Sequence, residues 1–190
     1  MDINFIRQIP NNLSSEFCKE TIERFEQDPN KTPGELLAGH TPEIKDSLDL
    51  HISAFESWSD IDSIFYESLK DPLKEYIDDI FITKCKGVLK NPFDSGYQIQ
   101  KTTPNNNGYT WHNDFAFADK YNGPLRIVTY IWYLNTVDEE GTTDFYDGTK
   151  IVPEEGKLVL FPATWTYVHK GNPPKVGSKY ICTGWFYTNR

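Results

Sequence analysis

Cysteine is scarce in this chain, with only Cys18, Cys85 and Cys182 among 190 residues. The three lie far apart and form no Cys-x-x-Cys pair, so neither a disulfide framework nor a redox pair is indicated. Reduced thiols are the simplest interpretation, and they predict a cytoplasmic location.

Long apolar runs and an excess of positive charge are also lacking. No stretch approaches the ~18 continuous apolar residues of a membrane-spanning helix, and Met1–Phe5 has no basic start of a signal peptide. The net charge is −9, and no concentrated basic patch offers a phosphate backbone a binding surface. We therefore expect neither a membrane nor a nucleic acid as a partner.

Aromatic residues are plentiful, because 12 Phe, 11 Tyr and 5 Trp make up 15% of the chain. They can fill the core of one ordered domain. Helical periodicity follows Ser14, a typical N-cap, and returns after Ser59. Pro72 should divide this second helical region into two helices or kink it. The intervening residues 30–59 predict a long loop with one short strand near Leu48–Ile52.

After Gly87 the apolar period changes to the two-residue period of strands. Strand 125–135 is apolar on both faces, which is typical of a central strand. The sequence predicts one domain, 1–190, that is mainly β with N-terminal helices (α+β) and has a sandwich or barrel core. Residues 1–86 would provide helical support and substrate loops, and residues 87–190 the β core. The predicted strands are Gly96–Thr103, Tyr109–His112, Leu125–Asn135, Thr143–Tyr146, Lys157–Phe161, Tyr167–His169 and Lys179–Thr188.

His112 and Asp114 have the spacing of a metal site carried by a strand. Residues i and i+2 of a strand point to the same side, so both can reach one ion. His169, at the end of another predicted strand, is the best available third ligand. Two His and one carboxylate leave coordination positions open, an arrangement that suits non-haem Fe(II) oxygenases. The alternative is an exposed His near an exposed Asp, because His-x-Asp alone is weak evidence.

Lys179 opens the last predicted strand. Strand alternation places Lys179, Ile181, Thr183 and Trp185 on one face. If that face lines the interior, the ammonium needs an anion, and a dicarboxylate co-substrate would supply it. The alternative is a solvated lysine at the end of a strand.

From Gly96 to Tyr187 the sequence resembles the prolyl 4-hydroxylase-like branch of the Fe(II)- and 2-oxoglutarate-dependent dioxygenases. The resemblance implies a double-stranded β-helix (jelly roll, cupin-like) backed by helices. It also implies hydroxylation of a substrate C–H bond with Fe(II), 2-oxoglutarate and O2, and binding of ascorbate. The blocks that carry it, in the family's order and spacing, are Gly108–Asp114, Thr129–Asn135, Glu140–Phe145, Leu160–Pro162 ahead of His169, Gly177–Tyr180 and Trp185.

The same resemblance implies roles for single residues. His112, Asp114 and His169 match the iron ligands, which are catalytic through the metal. The matching 2-oxoglutarate pocket consists of Lys179, Tyr133, Thr129, Ile131, Trp185 and Thr102. Thr102 stands where the family often has a Tyr, so Thr102 itself, a water or Gln100 would fill the space. Substrate contacts are expected from Tyr109, Phe115, Phe117 and Tyr121.

Peptidyl proline is the first expectation for the substrate. Two alternatives stay open. The same chemistry could act on a free amino acid or small metabolite, or the chain could be a non-catalytic jelly-roll binding module. The acidic balance disfavours a nucleic-acid demethylase of the same superfamily.

Overall fold

The computed structural model describes residues 5–36, 39–80, 90–117 and 123–189, and these form two β-sheets and two α-helices. Helix α1 spans Ser15–Gln27 and helix α2 spans Ser59–Ile80. Neither helix is long and apolar enough to cross a membrane, within the part of the chain that is described. Ser14 Oγ accepts a hydrogen bond from Phe17 N at 3.2 Å, which confirms the predicted N-cap of α1.

Helix α2 continues through Pro72, so its predicted division into two helices is wrong. Proline has no N–H to donate to the carbonyl four residues earlier, which here belongs to Ser68. Asn12 Nδ2 donates to that carbonyl instead, at 3.0 Å. Trp132 Nε1 fixes the asparagine by donating to its Oδ1 at 2.6 Å. A side chain outside the helix thus replaces the bond that proline removes.

Each of the seven predicted strands overlaps an observed strand, although Tyr167–His169 shares only His169 with β12, and β1, β2, β3, β5 and β10 are additional. In chain order the strands are β1 (Arg7–Ile9), β2 (Thr32–Pro33), β3 (Lys45–Asp46), β4 (Leu48–His51), β5 (Lys90–Asp94), β6 (Gln98–Thr102), β7 (Gly108–His112), β8 (Leu125–Tyr133), β9 (Thr143–Phe145), β10 (Lys150–Ile151), β11 (Leu158–Pro162), β12 (His169–Gly171) and β13 (Lys179–Asn189). The predicted loop 30–59 therefore contains β2 and β3 as well as the expected β4.

The larger sheet has the order β1-β11-β8-β13-β6-β4-β2, with β5 also paired to β13. The smaller sheet has the order β10-β9-β12-β7-β3. In the described part of the chain all paired strands within these sheets are antiparallel. The coarser part of the predicted class, a mainly β protein with two helices, is confirmed.

Strand β8 is central, as its two apolar faces predict. Tyr130 and Trp132 pack in the large core that includes the buried faces of α1 and α2. Ile131 and Tyr133, on the opposite face, pack in a second core with side chains from both sheets. The helices therefore support one face of the larger sheet, and the other face is free to form a site with the smaller sheet.

Candidate metal and co-substrate site

The pairing of β7 with β12 contains a register shift next to the candidate site. His112 pairs with His169, whereas Tyr109 pairs with Gly171, so β7 holds one more residue than β12 between these pairs. This is the geometry of a β-bulge. Gly108 begins β7 at φ 71°, and a Cβ there would collide with the carbonyl of Gly171. The bulge turns Tyr109 and His112 toward the same cavity, although strict alternation would separate them.

The structure brings the three predicted ligands together in this cavity. His112, Asp114 and His169 offer ligand atoms that all lie within 4.8 Å of one another. Asp114 Oδ1 lies 3.9 Å from His112 Nε2, and Asp114 Oδ2 lies 3.7 Å from His169 Nε2. Ligands at about 2.1 Å from one ion, in adjacent octahedral positions, lie roughly 3 Å apart. Starting from separations of up to 4.8 Å, the cluster would need to contract by up to about 2 Å around a metal. His169 begins β12 rather than ending a strand as predicted.

Neighbouring groups orient all three side chains for coordination. His112 Nδ1 lies 2.8 Å from the carbonyl of Thr110, and His169 Nδ1 lies 3.0 Å from that of Tyr167. With Nδ1–H donating to these carbonyls, each Nε2 carries the free lone pair that a metal requires. Burial and the adjacent His169 lower the pKa of His112 to about 4, which keeps the ring neutral near pH 7.

The carboxylate of Asp114 is held in its ionised form. Burial alone would raise its pKa, but His169, His112 and a hydrogen bond from Thr129 together lower it. Thr129 Oγ1 donates to Asp114 Oδ2 at 2.7 Å. Thr129 was predicted to line the co-substrate pocket, and the structure shows that it also orients this carboxylate.

Most of the residues predicted for 2-oxoglutarate lie on the wall of the same cavity. The lining includes Thr102, Thr129, Ile131, Lys179 and Trp185. The face assigned to β13 from alternation is also correct, because Ile181 and Thr183 lie on the wall as well. Gln100, the suggested substitute for the missing Tyr, is there beside Thr102. Trp185 Nε1 is buried and has no hydrogen-bond partner among the described residues, so it has a donor to offer a ligand.

Tyr133 lies one layer behind the cavity. It is fully buried, and its hydroxyl donates to Thr143 Oγ1 at 2.6 Å. Thr143 reaches the cavity wall, whereas Tyr133 is not part of it. Any influence of Tyr133 on a bound co-substrate would therefore pass through Thr143.

Lys179 is a buried cation with neutral partners. Its side chain donates to the carbonyl of Gly141 at 2.9 Å and to that of Asn172. Within the described residues it forms no ion pair, although Asp144 contributes a favourable charge at longer range. Burial lowers the pKa of Lys179 to about 8. An anionic ligand in the cavity would supply the missing negative charge.

The four predicted substrate residues have different positions. Tyr109 lines the cavity, and its ring stacks on His112 with centroids 3.4 Å apart and planes at 11°. Phe115 is 46% exposed and does not line the cavity, and Phe117 forms an isolated bridge with Leu125. Tyr121 lies outside the described residues. Of the four predicted substrate residues, Tyr109 is therefore the one that lines the described cavity.

Sequence reasoning missed a second buried lysine in this cavity. Lys45 lies on the cavity wall and forms an ion pair of 2.5 Å with Asp49, with side chains only 6% and 2% exposed. It also missed Arg126, whose guanidinium carbon lies 3.6 Å above the ring of Trp185. Lys45 and Asp49 are four residues apart, a spacing that brings side chains together on a helix but not along a strand. Here the two residues meet because they lie on consecutive short strands, β3 and β4, of different sheets.

The comparisons with known proteins agree with this geometry. Residues 97–187 match the family model of the 2OG-Fe(II) oxygenase superfamily. The chain thus contains an oxygenase domain of this superfamily and is a 2-oxoglutarate-dependent dioxygenase, for which the family implies Fe(II), 2-oxoglutarate and O2. No curated protein matches the chain significantly by sequence.

Solved structures similar to this chain include several prolyl hydroxylases. A viral collagen prolyl hydroxylase from Paramecium Bursaria Chlorella virus-1, in complex with 2OG, matches with a TM-score of 0.70 and 20% identity over 97% of both chains. A Pseudomonas putida prolyl-4-hydroxylase matches with a TM-score of 0.68 and 18% identity, over 96% of this chain and 92% of its own. A Trichoplax adhaerens prolyl hydroxylase, bound to a hypoxia inducible factor peptide fragment, matches with a TM-score of 0.71 and 22% identity. This match covers 97% of the present chain and 84% of the Trichoplax chain. At such identities the likeness establishes the fold.

Proposed function

We propose that this oxygenase hydroxylates peptidyl proline, with His112, Asp114 and His169 as iron ligands and Lys179 as the partner of the distal 2-oxoglutarate carboxylate. The observation that carries the proposal is the convergence of the three ligand atoms within 4.8 Å, in the cavity that also contains the buried Lys179 ammonium. The site can bind a metal and a dianion side by side. Its Nε2 lone pairs, its ionised carboxylate and its unpaired cation all fit those ligands.

The protein's own residues position the reactants and exclude water. When bound, Fe(II) and 2-oxoglutarate supply the oxidative chemistry. Thr129 holds the carboxylate of Asp114, and backbone carbonyls fix both histidine rings. Lys179 binds the far end of the co-substrate, and the apolar side chains of Ile131 and Ile181 limit the water that reaches it. Trp185 Nε1 is a further donor for an oxygen atom in the cavity.

Proline in a peptide is the proposed substrate because the similar structures are prolyl hydroxylases, one of them bound to a peptide fragment. We also propose the double-stranded β-helix (cupin-like) arrangement and a single domain over 1–190, supported by the two cores that β8 shares with both sheets and the helices. Ascorbate binding and a cytoplasmic location are further proposals. For the location, the support is that Cys18 and Cys182 are free and buried, while Cys85 lies outside the described residues.

The test is an assay of purified protein supplied with Fe(II), 2-oxoglutarate, O2 and a set of proline-containing peptides. We expect succinate release together with a peptide product heavier by one oxygen atom, and loss of both after chelation of the metal. Asp114→Ala should lose iron binding and turnover, while Asp147→Asn, a change at an exposed turn aspartate, should retain both. Intact protein that neither binds 2-oxoglutarate nor releases succinate would refute the proposed chemistry.

A further inference from the structure

The cavity has a polar wall that the N-terminal part of the chain contributes. Strand β3 pairs with β7 so that Lys45 lies opposite Tyr109, and the Lys45 ammonium lies 5.9 Å from the centre of the Tyr109 ring. Tyr109 in turn stacks on His112 at 3.4 Å. This arrangement places Lys45 on the side of the cavity that adjoins the aromatic face of a candidate metal ligand. The superfamily match begins only at residue 97, so it does not include Lys45.

Asp49 accepts a hydrogen bond from the Lys45 ammonium and fixes the position of the lysine side chain. Asp49 Oδ2 accepts from Lys45 Nζ at 2.5 Å and from Gln98 Nε2 at 3.0 Å. Its other oxygen, Oδ1, accepts from Ser47 Oγ at 2.7 Å. Gln98 extends the network, because its Oε1 accepts from Gln100 Nε2 at 2.9 Å. The network holds the lysine side chain in place before any ligand arrives.

Lys45 retains donors that point to no described partner. An ammonium has three N–H groups, and within the described residues Asp49 is the one hydrogen-bond acceptor of Lys45 Nζ. Lys45 lies on the cavity wall, whereas Asp49 does not. The remaining donors are therefore available to a molecule that enters the cavity, and a buried donor without an acceptor is costly to leave unpaired.

The charge balance determines what kind of acceptor suits Lys45. Its own charge is already neutralised by Asp49. The charges of one Fe(II), one 2-oxoglutarate dianion, Asp114 and Lys179 also cancel. The charged groups that line or would fill the loaded cavity, counted with Asp49, thus sum to zero, and Arg126 lies outside this lining, over the ring of Trp185. A substrate carboxylate would leave an uncompensated negative charge in a buried site, while a neutral carbonyl oxygen would not.

We infer that Lys45 is a substrate-binding residue that donates a hydrogen bond to an amide carbonyl beside the hydroxylated residue. The inference rests on the proposed function and deepens it. It selects a residue within a peptide over a free amino acid, because only the former presents an uncharged carbonyl there. Asp49 serves as the charge that makes this wall neutral.

The test compares two matched probes, acetyl-Ala-Ala-Pro with a C-terminal amide and the same peptide with a free carboxylate. Dissociation constants are measured by calorimetric titration without O2, in protein loaded with Fe(II) and 2-oxoglutarate. We expect the wild-type protein to bind the amide at least about tenfold more tightly than the acid, because the carboxylate of the acid would bring an uncompensated charge into a buried, neutral site. Lys45→Gln should weaken binding of the amide by about tenfold, as for loss of a hydrogen bond to a charged donor. It should not relieve the penalty on the acid, because the charge of Asp49 is then uncompensated.

Asp49→Asn sharpens the test because it keeps a hydrogen-bonding side chain but removes the balancing charge. It should shift the preference toward the acid, as the cavity then carries a net positive charge. If either single variant unfolds, Lys45→Gln/Asp49→Asn replaces the ion pair with a neutral hydrogen-bonded pair. Because the net charge of the cavity is unchanged, this variant should still prefer the amide to the acid but bind the amide more weakly than the wild type does.

The possible failures are distinct. A wild-type protein that binds the acid as tightly as the amide overturns the inference, and so does a Lys45→Gln variant that weakens 2-oxoglutarate more than the peptide. Either result leaves the oxygenase function intact if succinate is still released. Absence of 2-oxoglutarate-dependent succinate release contradicts the proposed function itself, independently of both probes.

Discussion

The two lysines of the cavity, Lys45 and Lys179, are equally buried but have opposite electrostatic surroundings. Both residues are 4% exposed. Lys45 has a carboxylate at 2.5 Å, whereas Lys179 has the carbonyls of Gly141 and Asn172. A carboxylate satisfies an ammonium within the protein, while carbonyls orient it and leave its charge for a ligand. The comparison teaches that the partner, rather than the burial, indicates which lysine binds an anion.

The largest expected difference between the two lysines concerns the stability of the ligand-free protein. Lys45→Met should lower the free energy of unfolding by about 3–5 kcal/mol, because it leaves the carboxylate of Asp49 buried without its cation. Lys179→Met should change it by less than about 1 kcal/mol, since the loss of two hydrogen bonds is offset by removal of an unpaired buried charge. Urea unfolding without metal or 2-oxoglutarate measures both values.

The control for this measurement is Lys74→Met on the surface of α2, where the side chain is 74% exposed. That change should alter the free energy of unfolding by no more than about 0.5 kcal/mol. If Lys179→Met proves as destabilising as Lys45→Met, the distinction between a paired and an unpaired lysine is wrong.

The next largest effect is on co-substrate affinity, and the order of the two lysines reverses. Lys179→Met should weaken 2-oxoglutarate binding on the order of 10²-fold or more, because a buried carboxylate loses its cation. Lys45→Met should weaken it less, by about tenfold at most, since the Asp49 carboxylate that it leaves uncompensated does not line the cavity. Calorimetric titration of the iron-loaded protein measures both. Similar losses in the two variants would mean that both lysines bind the same carboxylate.

The smallest effect is a pH dependence that only Lys179 should produce. Burial lowers the pKa of Lys179 to about 8 in the ligand-free protein, and a bound dianion favours the protonated form. Affinity for 2-oxoglutarate should therefore be nearly constant below pH 8 and fall above it, by up to about tenfold per pH unit.

The same titration has a signature in stability. Because burial lowers the pKa of this base from 10.5 to about 8, the unfolded chain binds more protons between these values. The ligand-free protein should thus gain stability from this group as the pH rises from 8 toward 10.5. Arginine stays charged throughout this range, so Lys179→Arg should remove the pH dependence of both quantities. A slope that survives in that variant would assign it to another group.

Local rules predicted the C-terminal side of the site because its residues lie on regular strands. Two-residue alternation was sufficient to place Lys179 and Trp185 on one face of β13. The spacing of His112 and Asp114 was sufficient to predict that they share one side of a strand. His169 could be predicted as the third ligand from its place on another predicted strand. Tyr133 shows where the rule stops, because it has the correct parity but its hydroxyl is satisfied by Thr143 before it reaches the cavity.

Lys45 could not be predicted in the same way. It lies in a segment without clear periodicity, and it reaches the cavity only because β3 pairs with β7. That pairing joins residues more than sixty positions apart, as the register of Lys45 with Tyr109 shows. No local pattern encodes such a contact. Likewise, Asn12 compensates for Pro72 across a large sequence separation, which neither residue's neighbourhood reveals.

The extra residue in β7 has a mechanical consequence. Because the strand changes phase between Tyr109 and His112, a ring on the cavity wall lies flat against the ring of a candidate metal ligand. A displacement of the Tyr109 ring would therefore act on the His112 ring directly, without any intervening side chain. Without the bulge, strict alternation over the three steps from Tyr109 to His112 would turn the two rings to opposite sides of the strand.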